Sequence, residues 1–98
     1  MDWMSQPIVI YTSRYCLHSR MVERFFNDQE FLVEFVNIDG NQEAREHVMS
    51  LNRGYASVPT LLFPDGTQLT EPSIGEIKRK LGMDDPGMVD RLKGLLGG

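Results

Sequence analysis

The stretch that decides the fold runs from Ile8 to Ser19 and reads IVIYTSRYCLHS. Its apolar, β-branched start predicts a strand, and the spacing of apolar residues from Leu17 to Phe26 predicts an amphipathic helix. Cys16 stands between the two, at the helix end where unpaired backbone N–H groups stabilise negative charge. Because the thiolate is the nucleophilic form of cysteine, this position predicts a reactive thiol rather than a structural one.

Length and composition indicate one domain. The chain has 98 residues, of which 41% are hydrophobic, enough for a single domain over residues 1–98 with its core at about 7–81. The single cysteine excludes an internal disulfide framework and any metal site built from paired cysteines. The start, Met1-Asp2-Trp3-Met4, lacks the basic and apolar segments of a secretory signal, so we expect a cytoplasmic protein.

Charge and hydropathy exclude two classes of partner. The net charge is −4, and the longest basic run is Lys78-Arg79-Lys80. Nucleic-acid binding requires a basic face, which this chain does not supply. No apolar run approaches the roughly 20 residues that a membrane-spanning helix needs, so we expect no contact with a bilayer core.

The elements alternate in a way that predicts an α/β fold. A βαβ unit makes its strands parallel, and the turn signal Pro64-Asp65-Gly66 adds an antiparallel hairpin. The expected result is a mixed four-stranded sheet with helices on both faces. The predicted strands are 7–12, 32–38, 60–63 and 67–70. The predicted helices are 16–28, one capped by Asp39 or Asn41 and running to 52, one from the capping box at Ser73–Glu76 to 81, and an extra C-terminal helix at about 85–96.

Two burial patterns are expected around Cys16. The first strand should be buried on both faces, because its apolar residues are continuous rather than alternating. The first helix should turn one apolar stripe inward, formed by Leu17, Met21, Val22, Phe25 and Phe26.

Polar residues near Cys16 have two interpretations each. Ser19 lies one helical turn further on, so its hydroxyl either donates a hydrogen bond to the thiolate or satisfies a backbone N–H of the first turn. His18 either supplies a proton or charge to the sulfur or belongs to the solvated helix face. Tyr15 and Tyr55 either border a cleft or pack against neighbours. With two histidines and one cysteine in the chain, a zinc site made by the protein alone is not expected.

Val58-Pro59 precedes the apolar strand that begins at Thr60. Proline is tolerated at a strand start, because its missing N–H falls outside the ladder. Local sequence favours a trans bond, since cis is the minor form even before proline. A cis bond would present the Val58 backbone to an extended ligand, as an added strand is presented to a sheet edge.

Taken together, these motifs resemble the glutaredoxins of the thioredoxin fold, and most closely the actinobacterial mycoredoxin type. The resemblance covers about residues 7–81 and rests on motifs in the family's order. These are Ile8–Thr12 before Tyr15-Cys16-Leu17-His18-Ser19, then Val48–Asn52, Ser57-Val58-Pro59-Thr60, Asp65-Gly66-Thr67, and Leu69-Thr70-Glu71-Pro72-Ser73.

The resemblance implies a thiol–disulfide oxidoreductase in which Cys16 is the nucleophile and Pro59 is cis. It implies that Ser19, Arg14 and His18 support the thiolate, and that the thiol substrate is bound by Tyr15, Ser57, Val58, Pro59 and Ser73. It further implies no tightly bound cofactor and no metal, with mycothiol or glutathione as co-substrate. The expected partners are that small thiol and proteins that are S-thiolated or contain disulfides, acted on by a monomer.

Three departures from the family pattern refine these expectations. Ser19 replaces the second cysteine of Cys-x-x-Cys, so a mechanism that uses two cysteines of the chain is not available. The lysine before the cysteine is replaced around Ser13-Arg14. Pro72-Ser73 stands where a Gly-Gly holds glutathione's γ-glutamyl carboxylate, which favours mycothiol.

Three rival functions stay open at this stage. Glutaredoxins that bind iron–sulfur clusters carry Cys-Gly-Phe-Ser, of which residues 16–19 match the first and last positions. Residues 16–20 also resemble the Cys-Gly-Thr-Ser-Arg of arsenate reductases with the thioredoxin fold. The third rival is a non-catalytic or redox-sensing module that retains the fold and a modifiable thiol.

Overall fold

The computed structural model describes residues 6–83, in which strands and helices alternate as the sequence predicts. The strands are β1 (Ile8–Thr12), β2 (Val33–Asn37), β3 (Thr60–Leu62) and β4 (Gln68–Thr70), and the helices are α1 (Leu17–Asn27), α2 (Gln42–Leu51) and α3 (Ile74–Lys80). The helix predicted at 85–96 lies outside the described residues. None of the helices within 6–83 has the length and apolar character that crossing a membrane requires.

The strands form one mixed sheet in the order β2-β1-β3-β4. β1 pairs in parallel with β2, while β3 is antiparallel to both β1 and β4. The parallel register pairs Thr12 with Asn37, so these strands end at the same edge of the sheet. The loop that carries Cys16 and the loop that follows β2 therefore start side by side.

Hydrophobic residues cover both faces of the sheet. One cluster joins Ile8 and Ile10 of β1 with Val22 and Phe26 of α1 and Ile77 of α3, and Leu61 and Phe63 complete it. The other joins Ile38 with Ala44 and Val48 of α2, and Tyr11 and Val58 pack against it. Because alternate side chains of a strand point to opposite faces, α1 and α3 cover one face and α2 covers the other. The predicted fold, a mixed four-stranded sheet with helices on both faces, is confirmed.

Burial around Cys16 differs from the sequence prediction. β1 alternates buried and half-buried residues, so the face toward α2 is only partly closed. In α1 the fully inward positions are Ser19, Val22 and Phe26, whereas Leu17 and Met21 are 74% and 52% exposed. Ser19, Val22 and Phe26 are spaced three and four residues apart, so they share the helix face that turns toward the sheet. Leu17 and Met21 lie on the neighbouring part of the helix surface. The predicted inward positions of Leu17 and Met21 are therefore wrong.

Local signals at the helix starts hold in the structure. Cys16, Asn41 and Ser73 are the N-caps, and the capping box from Ser73 to Glu76 is complete. Asn41, rather than Asp39, caps α2 and accepts a bond from the Ala44 N–H at 3.1 Å. This leaves the carboxylate of Asp39 available for contacts elsewhere.

Candidate active site

Cys16 is built into the start of α1. It has extended backbone angles, φ −108° and ψ 114°, and its Sγ accepts a hydrogen bond from the Ser19 N–H at 3.4 Å. A side chain that accepts from this N–H is the ordinary N-cap arrangement, here made by sulfur. The half-buried thiol therefore faces both solvent and the partly positive end of the helix.

The loop before β3 lies opposite the sulfur. The Cys16 thiol donates to the Val58 carbonyl oxygen at 3.5 Å, and the Val58–Pro59 bond is cis. The cis bond that the resemblance implied is thus confirmed, against the local preference for trans. The Thr60 hydroxyl donates to the Ser57 carbonyl at 2.7 Å and fixes this loop to β3. Ser57 and Val58 are half-buried, whereas Pro59 is buried.

Ser19 contacts Cys16 through its backbone. Its side chain is completely buried, and its Oγ accepts a bond from the Ser13 N–H at 3.3 Å. The contact with sulfur is made by the Ser19 N–H. In this structure the hydroxyl therefore braces the loop before Cys16, while the helix backbone supplies the donor to the sulfur.

Asp39 holds the same loop from the other side. Its Oδ1 accepts from the Ser13 hydroxyl at 2.7 Å, and its Oδ2 accepts from the Arg14 N–H at 2.9 Å. The Arg14 N–H and the Ser13 hydroxyl hold the pKa of this carboxyl below its ordinary value, and the Arg14 guanidinium adds to the effect. Arg14 thus stabilises the ionised form of Asp39 mainly through its backbone N–H and less through its charge.

His18 connects α1 to the turn before α3. Its Nε2 lies 2.6 Å from the Pro72 carbonyl oxygen, which requires that nitrogen to donate. The neighbouring Glu71 N–H donates to the Pro59 carbonyl at 2.8 Å, and Glu71 has a φ of +49°. Ser73 is exposed, but its hydroxyl is occupied by the helix cap. The structure thus brings the segments at 58–59, 71–73 and 16–18 together.

Several large aromatic and apolar side chains of the described residues are exposed. Tyr15 is 84% exposed and Tyr55 is 71% exposed, so neither is a packing residue. The exposed side of α1 forms an open groove, lined by Leu17, Arg20, Met21, Arg24, Phe25, Asp28 and Ile74.

The residue that sequence reasoning missed is Asp39, which it assigned only to a turn or a cap. The available signal was topological. Loops that follow neighbouring parallel strands meet at one sheet edge, and functional residues cluster there. Within residues 6–83, no group of three or more histidine, cysteine, aspartate or glutamate side chains is arranged to hold a metal ion.

Comparison with known proteins identifies related sequences. The Glutaredoxin family model matches residues 8–67. A Mycobacterium tuberculosis protein named "putative glutaredoxin" is 36% identical over 78 residues, covering 80% of this chain and 93% of that protein. Mycoredoxin 1 of Corynebacterium glutamicum is 32% identical over 74 residues, covering 76% of this chain and 91% of the relative.

A solved structure supports the same fold. The thioredoxin-like protein BC3987 superposes with a TM-score of 0.64 at 22% identity, covering 74% of this chain and 96% of that protein. At this identity the likeness concerns the fold alone. The described part of the chain therefore has the thioredoxin-like fold that the sequence resemblance implied.

Proposed function

The chain belongs to the glutaredoxin family of thiol–disulfide oxidoreductases, and on this premise we propose that it works by a monothiol mechanism through Cys16. The observation that carries the proposal is the N-cap position of the only cysteine, with a backbone donor 3.4 Å from its sulfur. A donor at this position stabilises negative charge on the sulfur, both in the attacking thiolate and when it leaves again.

The proposed substrate is a mixed disulfide between a protein and a small thiol. The Cys16 thiolate attacks the sulfur of the small thiol, an S–S bond forms between them, and the protein leaves as its thiolate and takes up a proton. A second small thiol, as its thiolate, then attacks the small-thiol sulfur of the disulfide on Cys16. This step releases Cys16 as its thiolate, together with the disulfide of two small thiols. In sum, the mixed disulfide and one free small thiol give the reduced protein thiol and the disulfide of the small thiol, so no second cysteine is needed.

Ser19 supports this assignment over a dithiol cycle. A hydroxyl cannot attack the mixed disulfide on Cys16, and Ser19 is fully buried with its oxygen engaged by Ser13. We assign Ser19 and Arg14 to the support of the sulfur and its loop, through the contacts described above. We assign His18 to the same role from its position two residues after Cys16, although its described contact is with the Pro72 carbonyl. We assign Tyr15, Ser57, Val58, Pro59 and Ser73 to the binding of the thiol substrate, since these segments surround the sulfur.

Mycothiol is the small thiol we favour, and glutathione is the alternative. Pro72-Ser73 stands in the place of the Gly-Gly that binds glutathione's γ-glutamyl carboxylate in the resembling family members. The Pro72 carbonyl accepts from His18, and the Ser73 hydroxyl caps α3. A relative bears the name mycoredoxin 1, the type that the sequence resemblance links with mycothiol.

The testing experiment compares two mixed disulfides of one peptide, one with mycothiol and one with glutathione. We expect turnover of both, with the higher kcat/KM for the mycothiol disulfide, and none in Cys16→Ser. Equal or higher kcat/KM for glutathione would overturn the thiol preference. Turnover of neither, together with a coloured protein after anaerobic reconstitution with iron and sulfide, would assign the chain to cluster binding instead.

A further inference from the structure

We propose that Asp39 is a positioning residue for Cys16, because its carboxylate fixes the loop from Ser13 to Tyr15 that delivers the sulfur to the Ser19 N–H. The inference rests on the proposed function only in taking Cys16 as the reacting residue. The carboxylate of Asp39 bonds to Ser13 and Arg14 rather than to the sulfur, so it acts through the loop.

Asp39 occupies a rigid point in the fold. The pairing of β1 with β2 continues one step beyond the strands, where the Ile38 N–H donates to the Thr12 carbonyl at 2.9 Å. The Asp39 N–H then donates to the Asn37 side chain at 2.6 Å, and Gly40, with φ +69°, turns the chain toward α2. A side chain anchored between a strand and a helix can hold a neighbouring loop within a narrow range of positions.

The carboxylate uses both oxygens on consecutive residues of the loop. Oδ1 accepts from the Ser13 hydroxyl and Oδ2 accepts from the Arg14 N–H. The same Ser13 hydroxyl oxygen accepts from the Tyr15 N–H at 3.2 Å, and the Ser13 carbonyl accepts from the Cys16 N–H at 3.2 Å. Each residue from 13 to 16 is therefore fixed directly or through one intermediate.

The far side of this loop reaches the sulfur. The Ser13 N–H donates to the buried Ser19 hydroxyl, and the Ser19 N–H donates to Cys16 Sγ. Ser13 is 9% exposed and Ser19 is fully buried, so neither can shift freely. A change at Asp39 is thus transmitted through Ser13 and Ser19 to the donor that faces the sulfur.

An ionised carboxylate is the group that suits this role. The Arg14 N–H, the Ser13 hydroxyl and the Arg14 guanidinium all lower the pKa of Asp39, so at neutral pH both oxygens act only as acceptors. Asp39 and Arg45 of α2 line one surface pocket. Asparagine at position 39 would offer only one acceptor oxygen. Its NH₂ group, itself a donor, would then face either the Ser13 hydroxyl or the Arg14 N–H.

The test measures alkylation of Cys16 by iodoacetamide at pH 7 in Asp39→Asn, Ser13→Ala and the double variant. We expect Asp39→Asn to react about tenfold more slowly, within the hundredfold that a 1 Å misplacement can cost. The double variant should be no slower than Asp39→Asn, because both changes disable one network. Alkylation in all variants at the wild-type rate would overturn the proposal.

Asp65→Asn is the matched control. Asp65 also accepts bonds from a hydroxyl, a backbone N–H and a cation, but it lies in the β3–β4 hairpin. We expect this variant to lose thermal stability as Asp39→Asn does, while its alkylation rate stays at the wild-type value. Parallel losses of rate in the two variants would reduce Asp39 to a general stabilising residue and overturn the inference.

A spectroscopic readout separates positioning from folding. The amide resonance of Ser19 should shift in Asp39→Asn and in Ser13→Ala, and stay in place in Asp65→Asn. If Asp39→Asn does not fold, the proposal is tested by Ser13→Ala and by hydrogen exchange of the Arg14 amide in the wild-type protein. Rapid exchange of the Arg14 amide would contradict the proposal. Alkylation requires neither a disulfide substrate nor a small thiol, so failure of the proposed function leaves this test intact.

Discussion

At the scale of single residues, the sulfur of Cys16 is governed by backbone groups rather than by polar side chains. The Ser19 N–H donates to it, and its own S–H is directed at the Val58 carbonyl. The serine hydroxyl that follows one turn later is turned inward and braces Ser13. The helix start therefore provides the chemistry, while Ser19, Ser13 and Asp39 provide the position.

Ser19→Ala should keep measurable disulfide exchange and lose stability. The backbone N–H that faces the sulfur remains, but the buried Ser13 N–H loses its acceptor, which costs about 1–3 kcal/mol. Urea denaturation and an exchange assay on the same sample measure the two effects. Ser50→Ala is the control, because its exposed hydroxyl donates to the His47 carbonyl on the helix surface, and surface changes usually stay within about 0.5 kcal/mol. A Ser19→Ala protein as inactive as Cys16→Ser would return the hydroxyl to a direct role on the sulfur.

The sequence predicts the position of Cys16 at the start of α1, but not the hydrogen bonds from Ser13 and Arg14 to Asp39. Cys16 follows a strand and precedes an amphipathic pattern, and these local signals suffice to place it. Asp39 lies 23 positions further along the chain, and only the parallel register of β1 with β2 brings it to Ser13. Contacts of this kind depend on strand pairing, which one sequence does not state.

At the scale of elements, the apolar periodicity of α1 predicts the helix but not which of its apolar residues are buried. Its apolar residues lie on one broad stripe, but the sheet covers only the part that contains Val22 and Phe26. Leu17 and Met21 lie at the margin of the stripe and line the open groove on the exposed side of α1. The pattern predicts the helix well, because it depends on local spacing. It does not predict which edge of the stripe the sheet will cover.

Two truncations in α1 should separate the core from this margin. Phe26 is 2% exposed, so Phe26→Ala should lower the free energy of unfolding by about 3–5 kcal/mol. Leu17 is 74% exposed, and Leu17→Ala should change it by less than about 0.5 kcal/mol. Urea denaturation with matched m-values provides both numbers. Similar losses in the two variants would mean that the exposed edge of α1 is covered in solution.

At the scale of the whole molecule, carboxylates held by hydrogen bonds fasten distant parts of the fold. Asp39 ties the loop after β2 to the loop after β1, and Asp65 ties the hairpin to the end of α3. Asp65 lies 2.7 Å from Lys80 Nζ and also accepts from the hydroxyl and N–H of Thr67. The bond from Lys80, followed by those from Thr67, holds the pKa of Asp65 well below its ordinary value of 3.8.

These two carboxylates should make the free energy of unfolding depend on pH in the acidic range. A pKa that is lower in the folded chain contributes stability above the ordinary value, and this stability is lost as pH falls through the folded pKa. The free energy of unfolding should therefore decline from about pH 5 downward. Asp65→Asn should flatten that decline, and Lys80→Gln should do so as well, because it removes the largest cause of the shift. Urea denaturation at several pH values tests this, and slopes equal to the wild type in both variants would contradict the assignment.

The most direct test of the central claim is intact-mass analysis of the intermediate. The reduced protein is mixed with a peptide carrying a mixed disulfide to mycothiol or glutathione, then quenched and weighed. The monothiol mechanism predicts that the small thiol alone remains on Cys16 while the peptide thiol is released, with no adduct in Cys16→Ser. Recovery of the peptide bound to Cys16 with the small thiol released, or turnover in Cys16→Ser, would contradict it.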